Sequence, residues 1–152
     1  MKKIKIFMFA FILAGMTVVS CSSDDNAGPA PTIEGKWNQE KTVVRINNGA
    51  SLDIPYSGNQ TGCDKDYVKF VTCGVFNEAV YFDPAGTVDC EVDMLPPGSW
   101  NKNDNILTIS NQGDLTGVYE IVRLTNSELQ IRMSGQASGV TTTTTIFLTK
   151  AN

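Results

Sequence analysis

The 152-residue chain contains no histidine. Whatever the fold, that removes Ser-His-Asp and Cys-His catalysis and any zinc or copper site built on imidazole. Basic residues are also scarce: 12 Lys and Arg stand against 16 Asp and Glu, for a net charge of −4. Beyond the first five residues no basic patch exists. A nucleic-acid binder needs Lys and Arg gathered against phosphates, so nucleic acid is excluded as a partner. The same deficit argues against a folded body that grips anionic headgroups. Long apolar runs are few, and the longest, Ile6 to Val19, is interrupted by Thr17. It is too short for a permanent span, which takes about 20 apolar residues.

What the N-terminus does contain is ordered. Met1–Lys2–Lys3–Ile4–Lys5 is a basic head, an apolar run follows, and small residues close it, which describes a secretory signal peptide over residues 1–20. The junction Val18–Val19–Ser20–Cys21 resembles the lipobox of bacterial lipoproteins. The resemblance implies a diacylglycerol on the Cys21 thiol, cleavage just before it, and acylation, typically by palmitate, of the new amino group. One acyl chain gives marginal membrane residence, while two or three hold stably at about 0.8 kcal/mol per buried methylene. Cleavage leaves 132 residues, enough for one domain with a real core, and takes Lys2, Lys3 and Lys5 but no acid, so the net charge falls from −4 to −7. Residues 21–32 are acidic, with almost nothing to bury, and read as a disordered tether. Within them Ser23–Asp24–Asp25 is similar to the export signal that Bacteroidetes lipoproteins carry after the lipidated cysteine. It implies the outer membrane, facing the cell surface. A merely solvated linker leaves the protein facing the periplasm.

From Gly35 onward strand patterns dominate. Glu128–Met133 alternates, placing Leu129, Ile131 and Met133 on one face. Asn105–Ser110, Val118–Leu124 and Val140–Lys150 are β-branched, and the last places Thr142, Thr144, Ile146 and Leu148 together. Asp83–Pro84–Ala85–Gly86 predicts a turn between a strand near Glu78–Phe82 and one near Thr87–Asp93, with Gly86 at positive φ. Asn48–Gly49 predicts a tight hairpin. Eight or nine strands at regular spacing predict an all-β domain over 33–152: an antiparallel up-and-down barrel of about eight strands, or a β-sandwich.

The ordered set "GKW … CDKDYVKF … VYFDPAGTV … C … GSW … NILTI … YEIVRL … ELQIRM … TTTTTIFLTK" resembles the lipocalin-like lipoproteins of the Bacteroidetes over essentially all of 33–150. The pattern is G-x-W (Gly35, Trp37), C-x-x-D (Cys63, Asp66), a D-x-x-G turn, a second cysteine (Cys90) and another G-x-W (Gly98, Trp100). The resemblance implies a lipocalin barrel with Trp37 across its closed end, under an arginine from a late strand, either Arg123 or Arg132. It also implies a Cys63–Cys90 disulfide, with Cys63–Cys73 and Cys73–Cys90 as rivals. Val71 to Ala79 runs longer than the pattern and adds Cys73, for which a buried free thiol is expected.

Asp89, Glu91 and Asp93 alternate with Cys90 and Val92, predicting a solvated acidic face with Cys90 and Val92 turned inward. Asn101, Asn103 and Asn105 only resemble a calcium loop, because Ile106 occupies the glycine position and Gln112 the glutamate position. The expectation is a monomeric, non-catalytic binding module with no cofactor and no metal. It holds a small apolar or amphipathic ligand and attaches to the membrane through Cys21. A partner-docking surface protein with a filled barrel is the alternative. A carboxylate-pair hydrolase ranks last, since no two acids are placed across a cleft.

Overall fold

The computed structural model describes residues 30–87 and 89–151. Residues 1–20, expected to form a signal peptide, and the residues Cys21, Ser23, Asp24 and Asp25 lie outside them. Ala30, Pro31 and Thr32 are exposed and irregular. Ten strands follow: β1 (Gly35–Ile46), β2 (Ser51–Pro55), β3 (Tyr67–Val71), β4 (Val75–Phe82), β5 (Glu91–Met94), β6 (Gly98–Asn103), β7 (Ile106–Ser110), β8 (Gly117–Leu124), β9 (Glu128–Ala137) and β10 (Val140–Lys150).

All pairings are antiparallel, and β10 pairs with β1 from Trp37 to Ile46, which closes the sheet. Two of the barrel's eight wall positions are split. β2 and β3 both pair with β1, at Lys41–Arg45 and Gly35–Trp37, so they form one wall strand interrupted by residues 56–66. β5 and β6 both pair with β4, and Pro96–Pro97 breaks the strand they share. Proline cannot donate to a ladder, so two in succession end pairing there. The result is a closed eight-position up-and-down barrel, with no α-helix among the described residues.

The core fills one half of the bore. Trp37, Phe70, Phe76, Leu107, Ile109, Leu129, Ile131 and Leu148 are all but fully buried. Phe70 meets Phe76 edge-on at 5.1 Å and Trp100 at 5.5 Å. β-bulges between Gln39 and Lys41 and between Ile121 and Arg123 shift the alternation of β1 and β8, bending the wall where it must curl.

Several local expectations need correction. The β1–β2 turn has Asn47 and Asn48 at its centre, φ 48° and 57°, with Gly49 N–H donating to Ile46 O, one residue earlier than Asn48–Gly49. Asparagine tolerates that conformation, so glycine is not needed. β5 starts at Glu91, because Asp83 Oδ1 accepts from the amides of Ala85 and Thr87 and holds the loop away from pairing. Gly86 does take positive φ, 68°. The acidic alternation has the opposite phase to that expected. Val92 opposes Tyr81 and Met94 opposes Ala79, whereas the next residue on β4, Val80, faces Asp93. Val92 is therefore on the outer face and 49% exposed.

Candidate functional site

The two ends of the barrel are built differently. At the end where β1 begins, the first G-x-W supplies the floor. Trp37 is fully buried and its indole N–H donates to Ile33 O at 2.7 Å. Gly35 sits at φ 121°, a backbone conformation that favours glycine, and a Cβ there would lie 2.7 Å from Lys150 Nζ, so the lysine end would have to shift. The cation over Trp37 is Lys150 of β10, 4.4 Å from the ring centroid, and its ammonium also donates to Glu34 O. Burial lowers the Lys150 pKa, opposed by the charge of Glu34. Neither arginine caps the indole: Arg123 pairs with Glu128 at 2.7 Å and Arg132 with Glu120 at 2.6 Å. Both project from the outer face, since Arg123 opposes Gln130 and Arg132 opposes Thr145. The second G-x-W packs alongside. Trp100 donates to Val71 O at 2.9 Å, and a Cβ on Gly98 would meet Ser110 O at 2.3 Å.

Cys73 lies in the Thr72–Gly74 turn at this closed end, at φ 66°, and is exposed rather than buried. A three-residue turn at a barrel end has no packed side on which to hide its central side chain. Cys63 and Cys90 are bonded, Cα atoms 5.5 Å apart, tying the 56–66 loop to the segment before β5.

Halfway up the bore lies a polar layer that sequence reasoning did not find. Asp66, the acid of C-x-x-D, is 5% exposed. Its carboxylate accepts from Tyr56 OH at 2.9 Å and from Tyr81 N–H at 2.7 Å, while Asn59 Oδ1 takes its amide and Asn38 Nδ2 its carbonyl. Burial and the bond to Asp66 push the Tyr56 phenol far above its ordinary value. Beside it Glu78 accepts from Asn111 Nδ2 at 2.8 Å, clasping the 111–116 loop, whose Leu115 is buried in the core. Desolvation raises the Glu78 pKa; the Asn111 bond opposes this and the charges of Asp114 and Asp66 add to it. The cavity in this layer, lined by Gln39, Tyr56, Asp66, Glu78 and Leu115 among others, is about 20 Å³. That holds about one water molecule.

Above the layer, toward the open end of the bore, the inner face carries exposed apolar side chains among threonines, a surface called the cup below. Cross-strand partners share a face. Ile54 opposes Thr42, which opposes the buried Ile146, while Leu52 opposes Val44, which opposes Thr144, and Ile46 opposes Thr142. Ile46, Leu52 and Ile54 thus belong to the inner face, yet they are 54%, 63% and 45% exposed. Met133, opposite Thr144, and half-buried Ile121 continue the inner face on β9 and β8. The threonine run is divided by the wall: Thr142 and Thr144 enter the cup, whereas Thr143 and Thr145 lie outside.

No curated protein matches the chain. Two solved structures resemble it weakly. The bovine lipocalin allergen Bos d 2 has 15% identity and TM-score 0.39, covering 78% of this chain and 73% of that one. A deswapped triple mutant of bovine odorant-binding protein has 18% identity and TM-score 0.37, covering 77% and 72%. A family model described as a lipocalin-like domain matches residues 33–131, from the floor of the barrel into β9. With its closed eight-position barrel and tryptophan floor, the chain belongs to the lipocalin-like domain family.

Proposed function

We propose that this chain is a lipid-anchored, non-catalytic binding protein of the outer membrane, facing the cell surface, that takes a small apolar or amphipathic ligand in the cup at the open end. The observation that carries the binding part of this reading is the exposure of Ile46, Leu52 and Ile54 on the inner face, while the anchor rests on the resemblance around Cys21. Exposed apolar side chains on the inner face of a barrel gain by burying a ligand, at about 25 cal/mol per Å² removed from water. The polar layer limits depth, because a 20 Å³ cavity admits nothing larger than water, so the ligand rests on the layer rather than passing it. The same geometry argues against a carboxylate hydrolase. Asp66 and Glu78 are spent on structural hydrogen bonds, and no glycosyl unit fits beside them.

The test is fluorescence enhancement of the uncharged probe N-phenyl-naphthylamine. The wild-type protein should bind it, and the pair Leu52→Ser with Ile54→Ser should abolish binding without loss of fold. Absence of binding by the wild type refutes the cup. The anchor is tested separately: Cys21→Ala should abolish palmitate labelling and release the protein from membranes. Asp24→Ala with Asp25→Ala should protect it from protease added to intact cells. The rival reading, a partner-docking protein, is favoured by the outward apolar pair Val92 and Met94 beside Tyr67 and Tyr81.

A further inference from the structure

The three arginines of the chain, Arg45, Arg123 and Arg132, lie on the outer face of one half of the wall, β1–β10–β9–β8. Register establishes this. Arg45 opposes Thr143, Thr145 opposes both Val43 and Arg132, and Arg123 opposes Gln130. The alternate residues of the same strands, Ile131 and Ile146, point into the core. The bulges in β1 and β8 curl this half, and a groove of about 360 Å³ is sunk into it, lined by Arg45, Gln130, Arg132, Thr145, Val43 and Phe147 among others. That volume lies within the range of small-molecule sites, about 300–1,000 Å³.

The charged groups lining the groove are two guanidiniums, and its other polar groups are amides and hydroxyls. Arg132 is already committed to Glu120. Arg45 has no ion-pair partner among the described residues, and it stands one strand from the Thr143–Thr145 column, with Arg132 on the column's other side. A guanidinium presents a planar fork of donors that matches a carboxylate, sulfate or sulfonate head, and a threonine hydroxyl beside it adds another. Val43 and Phe147 supply apolar floor for a ring. In a chain of net charge −4 the general field repels anions, so retention here depends on local fit. We infer that this external groove is a second binding site, specific for a small organic anion with a ring-sized apolar body. It is separate from the cup in place and in charge selectivity.

Two probes sharing one aromatic body test it: anilinonaphthalene sulfonate, which is anionic, and N-phenyl-naphthylamine, which is not. Arg45→Gln should weaken the sulfonate by roughly tenfold or more, and Thr145→Val should weaken it several-fold. Both should leave the uncharged probe and the thermal unfolding curve unchanged. Added salt should weaken the sulfonate alone. The cup variant Leu52→Ser with Ile54→Ser should do the reverse, losing the uncharged probe and keeping the sulfonate. Sulfonate binding that survives Arg45→Gln, disappears with the cup variant, or is absent from the wild type overturns the inference. Loss of the uncharged probe alone strikes at the cup and leaves the groove standing.

Discussion

Replacing Asp66 by alanine should be among the most damaging single changes to this domain. The carboxylate is buried and accepts two hydrogen bonds, from Tyr56 OH and Tyr81 N–H. Hydrogen bonds to a charged group contribute about 1.5–3 kcal/mol each, and orphaned buried donors add desolvation cost. The two bonds share one acceptor and are not additive, and the adjoining 20 Å³ space can take a water that partly replaces it. A loss of about 3–5 kcal/mol results, a large share of the roughly 5–15 kcal/mol that stabilises a typical domain. At roughly 4 °C per kcal/mol for a domain of this size, the melting temperature should fall by about 12–20 °C. Urea unfolding followed by tryptophan fluorescence gives the magnitude, and amide hydrogen exchange at Tyr81 gives the location. Asp66→Asn should cost much less, because its amide oxygen can still accept from Tyr81 and the Tyr56 hydroxyl can rotate to accept. A loss below about 1 kcal/mol for the alanine variant, with Tyr81 still protected, would refute the view that Asp66 organises this layer.

Glu78 makes stability depend on pH. Its folded pKa is raised, chiefly by desolvation, so the folded state holds the proton more tightly than the unfolded one. That contribution is complete below the ordinary carboxylate value and is lost as pH rises through the raised one; Glu78→Gln should flatten this limb of a melting-temperature profile. Separating Cys63 from Cys90 by serine substitution should cost about 3–4 kcal/mol in the chain-entropy picture, measured by urea unfolding. Cys73, being exposed, should react with a thiol reagent in the native protein, and sluggish labelling would contradict its placement. Lys150→Met should lose about 0.5–2 kcal/mol from the contact with Trp37, whereas Arg123→Met and Arg132→Met should leave the indole's fluorescence unaltered.

Much of the architecture is legible in the sequence because its signals are local. The alternation of Glu128–Met133, the β-branched run Val140–Lys150 and the glycine demanded by Gly86 each follow from residues that touch their own neighbours. The two G-x-W units, which the family resemblance implied, are local only in part: Gly35 needs glycine for its positive φ, whereas Gly98 needs it because Ser110 O of the neighbouring strand lies against it. The missing histidines excluded whole classes of chemistry before any fold was known. What the tertiary structure alone decided depends on which strand lies beside which. Lys150 reaches Trp37 across a barrel closure that joins β1 to β10, and no spacing rule distinguishes it from Arg123 or Arg132. Alternation gives Asp89–Asp93 a period but not a face, and pairing with β4 turns Val92 outward. Asp66, Glu78, Tyr56 and Asn111 form one layer only after loops 56–66 and 111–116 fold over the bore. The apolar cup likewise exists only once the bulge at Gln39–Lys41 shifts the alternation, bringing Ile46 to the inner face with Leu52 and Ile54.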